Sequence, residues 1–481
     1  MSMLFTFDVE QIRSACSAKW LQKPDKLPHV KGVGIDSRED LTHKGFLAIK
    51  GAKHDGHDHV AQSVERGAQL LIIESARAKS LKMPPGVAMM HVESTRAALG
   101  RIAHAYRQSL RGTKVIAITG SSGKTTTKRL IHGVLGTTYA GVSSPKSFNN
   151  DIGVPLTLLS AKSSDKFAVV EIGTNAPGEI ADLARIAAPD IAVITMIGRS
   201  HLEGLGSIEG VAREKGSLLA ALPAEDGVAI VNADYPLLRP HLRRVKFKFL
   251  FGESEEADLR LTGRGEVNGN WWFEVNGRAR FEIALPGRHN ALNALAAVAV
   301  GRRFGLDDQA IRAGLFSVKP EAMRMTPQVA GGMTFYNDAY NANPEAMIAA
   351  LDTFAELAGG ARRRIVVLGD MLELGEGSAL LHREIGAHIA RIDDRCGLDQ
   401  VILIGGRMGE AAGAIRKQFD KDRLTHIATL NDRAIASVRK LIRAGDAVLV
   451  KASRGMELEK LIAAFESAPS PRKHKRSKVV A

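Results

Sequence analysis

The stretch ITGSSGKTTTKRL, residues 118–130, sets a lysine and a run of hydroxyl side chains directly after a glycine turn. The backbone N–H groups of such a turn, and of a helix that follows it, converge on one spot and suit an anion there. Lys124 would add a point charge and Thr125 a hydroxyl for Mg²⁺. The usual phosphate loop reads G-x-x-x-x-G-K-[ST]. Here Ile118 stands where the first glycine is expected, and Gly120 sits closer to Gly123-Lys124. A glycine-rich turn with a surface lysine is the plain alternative. Context favours a nucleotide loop: KVIAIT (114–119) is a β-branched run that suits a buried strand. TTTKRLIHGVL can wind into a helix with Ile131 and Leu135 on one face.

Three more residues have types and places that could do chemistry. Glu171 ends the apolar run FAVVEIG (167–173), an awkward place for an idle carboxylate. It either caps the following turn or coordinates Mg²⁺ beside Thr125. His201 follows the run IAVITMIG (191–198), and Lys215 lies in a segment expected to turn helical near Ser207 or Ile208. Singly, each reads as a surface residue, with Lys215 salt-bridged to Glu214 or Glu209. Past a strand end and near a proposed metal, they invite a second reading. A lysine cannot coordinate metal as a cation; it could only if converted into an anion.

The elements that must position these residues are legible as alternating units. Residues 1–109 read as a small α/β unit, with strands at GFLAIKG (45–51) and QLLIIES (69–75) and a helix over 97–110. Residues 110–320 repeat strand and helix: KVIAIT, FAVVEIG, IAVITMIG and GVAIVNAD (227–234). Near-continuous apolar strands predict a parallel sheet covered on both faces. VNGNWWFEVNGRARFEIAL (267–285) alternates and holds Asn-Gly pairs, which predicts an antiparallel hairpin. Trp271 and Trp272 should then face opposite ways, one in the core and one exposed. Residues 321–468 form another α/β unit on RRIVVLGD (363–370), QVILIGG (400–406) and DAVLVKAS (446–453), of doubly wound kind without the dinucleotide fingerprint. The fold class is therefore α/β throughout.

The 481 residues are too many for one ordinary core, and about two to four domains are expected. The formal net charge of +14 could signal nucleic acid or anionic substrates. Part of it comes from the end of the chain: residues 469–481 read as a disordered basic tail able to make weak anionic contacts. No aromatic–basic interleaving of the single-strand-binding kind is found, so no specific nucleic acid is expected. The two cysteines, Cys16 and Cys396, lack ligand spacing and suit a reducing cytoplasm. No signal peptide and no transmembrane helix are expected.

Taken together these motifs resemble the Mur ligase superfamily, ATP-dependent amide-forming enzymes of peptidoglycan synthesis, over nearly the whole chain except the tail. TGSSGKTTTK (119–128) is similar to the family's short phosphate loop, which accounts for Ile118. NNDIGVP (149–155) resembles its muramoyl-substrate segment and EIGTNAPGEI (171–180) its Glu-bearing strand end. HLEGLGSIEGVAREKG (201–216) matches its His and its Lys helix, and GRHNALNALAA (287–297) its adenine-side segment. NDAYNANPEAM (337–347) matches the linker to the third domain, and GDMLELGEGSALLHREIG (369–386) a hallmark of the dipeptide-adding branch. IDSRE (35–39) and IKGAKHDGHDH (49–59) match its uridine-nucleotide segments.

The resemblance implies a three-domain Mur ligase architecture: a UDP-substrate-binding domain (1–109), a central P-loop parallel-sheet domain (110–320) and a C-terminal doubly wound, Rossmann-like domain (321–468). It implies ligation of D-alanyl-D-alanine to UDP-N-acetylmuramoyl-tripeptide through an acyl phosphate, and a monomer in the cytoplasm is expected. ATP is expected on Gly120, Ser121, Ser122, Gly123, Lys124, Thr125 and Thr126, with Asn290 and Asn293 on the adenine side. Arg324 would meet phosphate and Asp338 ribose. Two Mg²⁺ ions are expected, one held by Thr125 and Glu171, the other by Glu171, His201 and Lys215. Lys215 would be carbamylated, which supplies the anion required above. Ser37, Arg38, Lys50, Asn149, Asn150 and Asp151 are the expected nucleotide-sugar contacts, and Asn341, Asn343 and Glu345 would orient the incoming amine. Lys124, Lys215, His201 and Glu171 carry the catalysis. The chain departs from the family at Glu321-Ala322-Met323-Arg324, where Pro-Gly-Arg is usual, at Met196 (often Asn) and at Ala452 (often Gly). It lacks the DNPR motif of the diaminopimelate-adding branch. A diaminopimelate- or lysine-adding ligase, a folylpolyglutamate-like ligase, and a P-loop NTPase that does not ligate are the rival readings.

Overall fold

The structure is a computed structural model and describes residues 8–51, 53–81, 85–267 and 269–466. The expected basic tail lies outside the described residues. The chain divides into two compact units. One takes the chain through Ile197 together with Ser207–Ile283 and Asn290–Val318; the other takes Gly198–Gly206, Ala284–His289 and the chain from Lys319.

The first unit holds two sheets. In the smaller, the strands run in the order Lys19–Gln22, Ala88–Val92, Leu70–Glu74, Gly45–Leu47, Val33–Gly34, all parallel except the first. The helix Thr95–Ser109 follows, capped by Ser94 accepting from Ala97 N. The larger sheet places Lys114–Thr119 between Ile191–Ile194 and Phe167–Glu171. Beyond these lie Val228–Asn232 and Phe247–Gly252 on one side and Gly141–Ser143 on the other, all parallel. The four expected strands of this sheet are present, buried along nearly their whole length, as a doubly covered sheet requires. Successive strands depart to either side of Lys114–Thr119, so a switch in strand order lies at its C-terminal end, where ligands of open α/β sheets bind.

The expected hairpin is a three-stranded antiparallel extension, Leu259–Val267, Asn270–Val275 and Ala279–Ile283. Its core face carries Phe273 and Val275, and Phe273 stacks on Phe281 at 5.5 Å. The expectation of one core and one exposed tryptophan fails, because both Trp271 and Trp272 are half-buried. Trp272 is covered by the Arg280 guanidinium, 4.0 Å from its ring, so an amphipathic side chain shields the outer face that alternation alone would leave bare.

The second unit is one six-stranded sheet in the order Thr326–Ala330, Met333–Asn337, Asp446–Lys451, Arg363–Gly369, Gln400–Ile404, Leu424–Ile427. Only Thr326–Ala330 is antiparallel to its neighbour. Helices pack apolar residues on both faces, with Phe354 and Leu351 in one cluster and Phe335 and Leu461 in the other. The order reverses between Asp446–Lys451 and Arg363–Gly369, which marks the C-terminal ends of these strands as the place to look for polar side chains.

Candidate functional site

In the first unit the sequence ITGSSGKT forms strand, turn and helix. Lys124–Leu135 is helical and buries Ile131 and Leu135 as expected. Gly120 and Gly123 have φ of +154° and +85°. A Cβ on Gly120 would lie 1.9 Å from Thr195 Oγ1, and one on Gly123 2.3 Å from Asn293 Oδ1. Both positions thus need glycine for space as well as for conformation. Thr195, at the end of the neighbouring strand, donates to Ser122 O at 2.6 Å, and Ser121 N donates to Met196 O at 3.0 Å. Asn232, at the next strand end, donates to Thr195 O at 3.1 Å. The loop is therefore fixed from below by a chain of hydrogen bonds. Met196 serves through its carbonyl, so the departure from Asn at that position spares this contact.

Asn290 and Asn293 lie on the helix Arg288–Arg303 and are both buried. Asn293 Nδ2 donates to Asn290 Oδ1 at 3.3 Å, and Asn293 Oδ1 accepts from Thr127 at 3.3 Å. Lys124 Nζ donates to Gly120 O at 2.7 Å, folded back over its own loop.

Glu171 is 1% exposed and ends Phe167–Glu171, beside the loop's own strand. Its Oε2 lies 3.2 Å from Lys128 Nζ and its Oε1 accepts from Asn149 Nδ2 at 3.1 Å. The capping reading of Glu171 is not what its side chain does. Thr125 and Lys128 are three apart on one helix and so share a face, which puts the Thr125 hydroxyl on the side of Glu171. A hydroxyl and a carboxylate with phosphate oxygens and water are a hard-oxygen donor set that fits Mg²⁺.

Lys215 is 1% exposed, on the helix Ile208–Gly216 that Ser207 caps. Burial, aided by the nearby Lys124 charge and opposed by Glu214, brings its amine down to about 7. No salt bridge to Lys215 forms among the described residues. Glu214 accepts instead from Gly178 N at 2.7 Å and Ile180 N at 2.8 Å, at the start of Glu179–Ala187. The surface ion pair considered for Lys215 is therefore excluded: Glu214 is committed to a helix terminus and Lys215 is inside.

The expected nucleotide-sugar residues have their own partners. Ser37 donates to Gln62 Oε1 at 2.7 Å. Arg38 grips Asp36 with two nitrogens, at 2.8 and 2.6 Å, which holds that carboxyl at about 2. Lys50 is exposed and bridges Asp55 in the backbone. Asn150 Oδ1 accepts from Gly153 N at 2.9 Å, and Asp151 pairs with Arg96 at 2.7 Å. Asn149 alone of that trio turns to Glu171.

In the second unit, Asp338 follows the strand Met333–Asn337 and sits 2.5 Å from Lys451 Nζ, at a strand end beside the switch in order. Lys451 also donates to Asn341 O at 3.0 Å, and Asp338 Oδ1 accepts from Met325 N at 3.0 Å. Arg324 lies over the Tyr340 ring at 4.2 Å. Met323 and Met325 on either side of it take left-handed conformations, φ +62° and +52°. The turn is thus made without the family's Pro-Gly, and Met323 adopts a backbone that glycine would adopt at less cost. Asn343 caps Pro344–Leu357 through Ala346 N at 2.8 Å, and Glu345 is held by Arg199 at 2.8 Å. Ala452 lies fully buried, its Cβ against Gly369. His201 has φ +53°, and its Nδ1 is 2.6 Å from Glu373 Oε2.

Sequence reasoning missed Lys128, Thr195, Lys451 and Arg199. A signal for Lys128 was present, since TTTK places it one turn after Thr125; the others needed the strand ends to be known.

Three family models match the chain: "Mur ligase family, catalytic domain" over residues 29–107, "Mur ligase middle domain" over 118–301 and "Mur ligase, glutamate ligase domain" over 323–454. The UDP-N-acetylmuramoyl-tripeptide–D-alanyl-D-alanine ligase of Bacillus subtilis is 39% identical, covering 92% of this chain and 94% of its own. The ligase of the same name from Haemophilus influenzae is 33% identical, covering 91% and 94%. Among solved structures, MurF from Acinetobacter baumannii superposes with a TM-score of 0.85 at 29% identity, covering 97% of this chain and 100% of that one. MurF from Thermotoga maritima, solved in complex with ADP, gives 0.77 at 27% identity, covering 92% and 98%. With its phosphate loop, Glu-bearing strand end and buried lysine on the fold of these relatives, the chain belongs to the Mur ligase family.

Proposed function

We propose that this chain ligates D-alanyl-D-alanine to UDP-N-acetylmuramoyl-tripeptide at the expense of ATP, the activity that its full-length relatives are named for. The observation that carries ligation over plain nucleotide hydrolysis is Lys215, a fully buried amine near Lys124 with a pKa of about 7. A phosphate loop alone has no use for it.

A carboxylate is a poor electrophile until one oxygen becomes a phosphate leaving group. ATP would lie on residues 120–126, with its adenine toward Asn290 and Asn293, and the γ-phosphoryl group would pass to the tripeptide's terminal carboxylate. The dipeptide amine would then attack the acyl phosphate and release phosphate. Positioning and charge neutralisation dominate such transfers. Lys124, now folded onto Gly120 O, would turn to the phosphate oxygens. Thr125 and Glu171 would hold Mg²⁺, which when bound neutralises phosphate charge. The Lys215 amine can attack CO₂ when neutral; the new N–C bond forms as one C–O π bond of CO₂ opens and the nitrogen sheds a proton to solvent, leaving a carbamate whose single negative charge is shared by two oxygens. That anion is the donor expected for a second ion on the Lys215 side, and His201 is a second candidate donor, paired here with Glu373.

Arg324 takes a phosphate role and Asp338 a ribose role. Asn341, Asn343 and Glu345 are the candidates for orienting the amine; Glu345 already holds a cation, Arg199. Ser37, Arg38, Lys50 and the segment 149–151 take the uridine nucleotide and muramoyl group. The domains are assigned as 1–109 for the nucleotide-sugar, 110–320 for ATP and 321–468 for the acceptor. The protein works as a monomer in the cytoplasm; no described helix is long and apolar enough to cross a membrane.

The test is phosphate release with both acceptor and donor varied. Release that requires the tripeptide nucleotide and D-alanyl-D-alanine together is expected, and equal release with either alone refutes ligation. Lys124→Ala should fold and lose more than about a hundredfold in turnover, the size of an electrostatic transition-state contact.

A further inference from the structure

Lys128 is a buried cation that the reaction scheme above does not use. Its side chain is 3% exposed and pairs with Glu171, itself 1% exposed. It also donates to the carbonyl of Lys146, in the loop that carries Ser147, 3.5 Å from Thr125, and Asn149. Glu171 is thereby held at both oxygens, by an ammonium on Oε2 and an amide on Oε1, and its backbone N donates to Ser144 Oγ at 3.0 Å. Among the described residues no group of three or more His, Cys, Asp or Glu side chains surrounds any point that could hold a metal. The partners that Glu171 keeps here are thus a cation and an amide, Lys128 and Asn149.

We propose that Lys128 is a positioning residue that makes Glu171 a ligand for the metal–nucleotide complex and a poor one for the free metal. The proposal rests on the reading of Glu171 and Thr125 as magnesium ligands. In the nucleotide-free protein the charges of Lys128 and Glu171 cancel. A free divalent ion arriving at Glu171 meets an ammonium one carboxylate away, in a site too buried for water to screen the repulsion. Nucleotide phosphates bring the missing negative charge, so the same site becomes favourable once they are present. The fixed carboxylate serves the complex as well. Each oxygen keeps a lone pair beyond its present bond, which suits one-oxygen ligation in a small octahedral ion. Outer partners that hold a ligand in this way set metal affinity as well as geometry.

The experiment titrates Mn²⁺, read by its paramagnetic resonance signal, into the full chain with and without a non-hydrolysable ATP analogue. In the wild type, affinity should be far higher with the analogue than without. Lys128→Met should bind Mn²⁺ alone at least tenfold more tightly than wild type and lose most of the difference made by the analogue, while Lys128→Arg should keep the wild-type ratio. A folded Lys128→Met with an unchanged ratio overturns the proposal. If the methionine variant does not fold, Lys128→Gln is read in the same way, and failure of both to fold makes the pair structural and also overturns it. Glu171→Gln separates the two layers. If it binds the Mn²⁺–analogue complex as wild type does, the ligand reading of Glu171 falls and takes the proposal with it. If it binds weakly while Lys128→Met is unchanged, the proposal falls alone.

Discussion

At the scale of single residues, Lys215 is the clearest case of a side chain whose chemistry is set by where it is put. An exposed lysine stays charged at neutral pH; this one is inside, beside a second cation, and its pKa falls from 10.5 to about 7. Between those values the unfolded chain binds a proton on Lys215 that the folded chain does not, so folding stability contributed by this group rises with pH across about 7 to 10.5. Below about pH 7 both states hold the proton and the penalty is at its full size. Lys215→Met removes the penalty. Relative to wild type it should gain about 2–3 kcal/mol more at pH 7 than at pH 9.5, since each unit is worth about 1.4 kcal/mol. Urea unfolding of both proteins at the two pH values, with CO₂ excluded, reads this difference. A pH-independent gap would mean that the amine keeps an ordinary pKa, and its use as a CO₂ acceptor at neutral pH would lose its basis.

Elements place these residues, and one element is itself placed by a buried carboxylate. Glu179–Ala187 begins after Gly178 with no cap from its own side chains. Its first N–H groups would be left without partners were Glu214 not aimed at them from the helix Ile208–Gly216. Glu214→Ala should therefore cost about 2–3 kcal/mol, because bonds to a charged group are the strong ones and the Ile180 N–H stays buried. Ser207→Ala, which removes an ordinary cap from the neighbouring helix, should cost only about 1 kcal/mol. Denaturant midpoints of the two variants decide it. Equal small losses would show that water replaces Glu214 at little cost. Glu214 also counts among the charges felt by Lys215, and its loss should lower the lysine's pKa further.

For the whole molecule, the division into two units has a direct consequence. All three tryptophans, Trp20, Trp271 and Trp272, lie in the first unit, whereas helix and strand are spread over both. Fluorescence thus follows the unfolding of the first unit and far-ultraviolet circular dichroism follows both. The two denaturation curves should not coincide, since multi-unit chains depart from two-state behaviour. An ATP analogue with Mg²⁺ should move the fluorescence curve to higher denaturant, because a ligand that binds only the folded loop stabilises it by mass action. Superimposable curves would show that the units unfold as one.

By itself the sequence determined the α/β class, the buried strands, the phosphate loop with its helix, and the start of the Lys215 helix at Ser207. These are local: β-branched runs, glycine placement, a capping hydroxyl and apolar periodicity each act over a few neighbouring residues. It also exposed Glu171 as a carboxylate in an apolar run. Only tertiary structure decided what those groups face. The contact of Glu171 with Lys128 spans 43 residues, that of Thr195 with Ser122 spans 73, and that of Lys451 with Asp338 spans 113. The tryptophan pair shows the same limit, since alternation fixes which face a side chain takes but not that Arg280 will cover it. Burial and ion pairing depend on which strand ends the sheet order brings side by side, and no local pattern encodes that order.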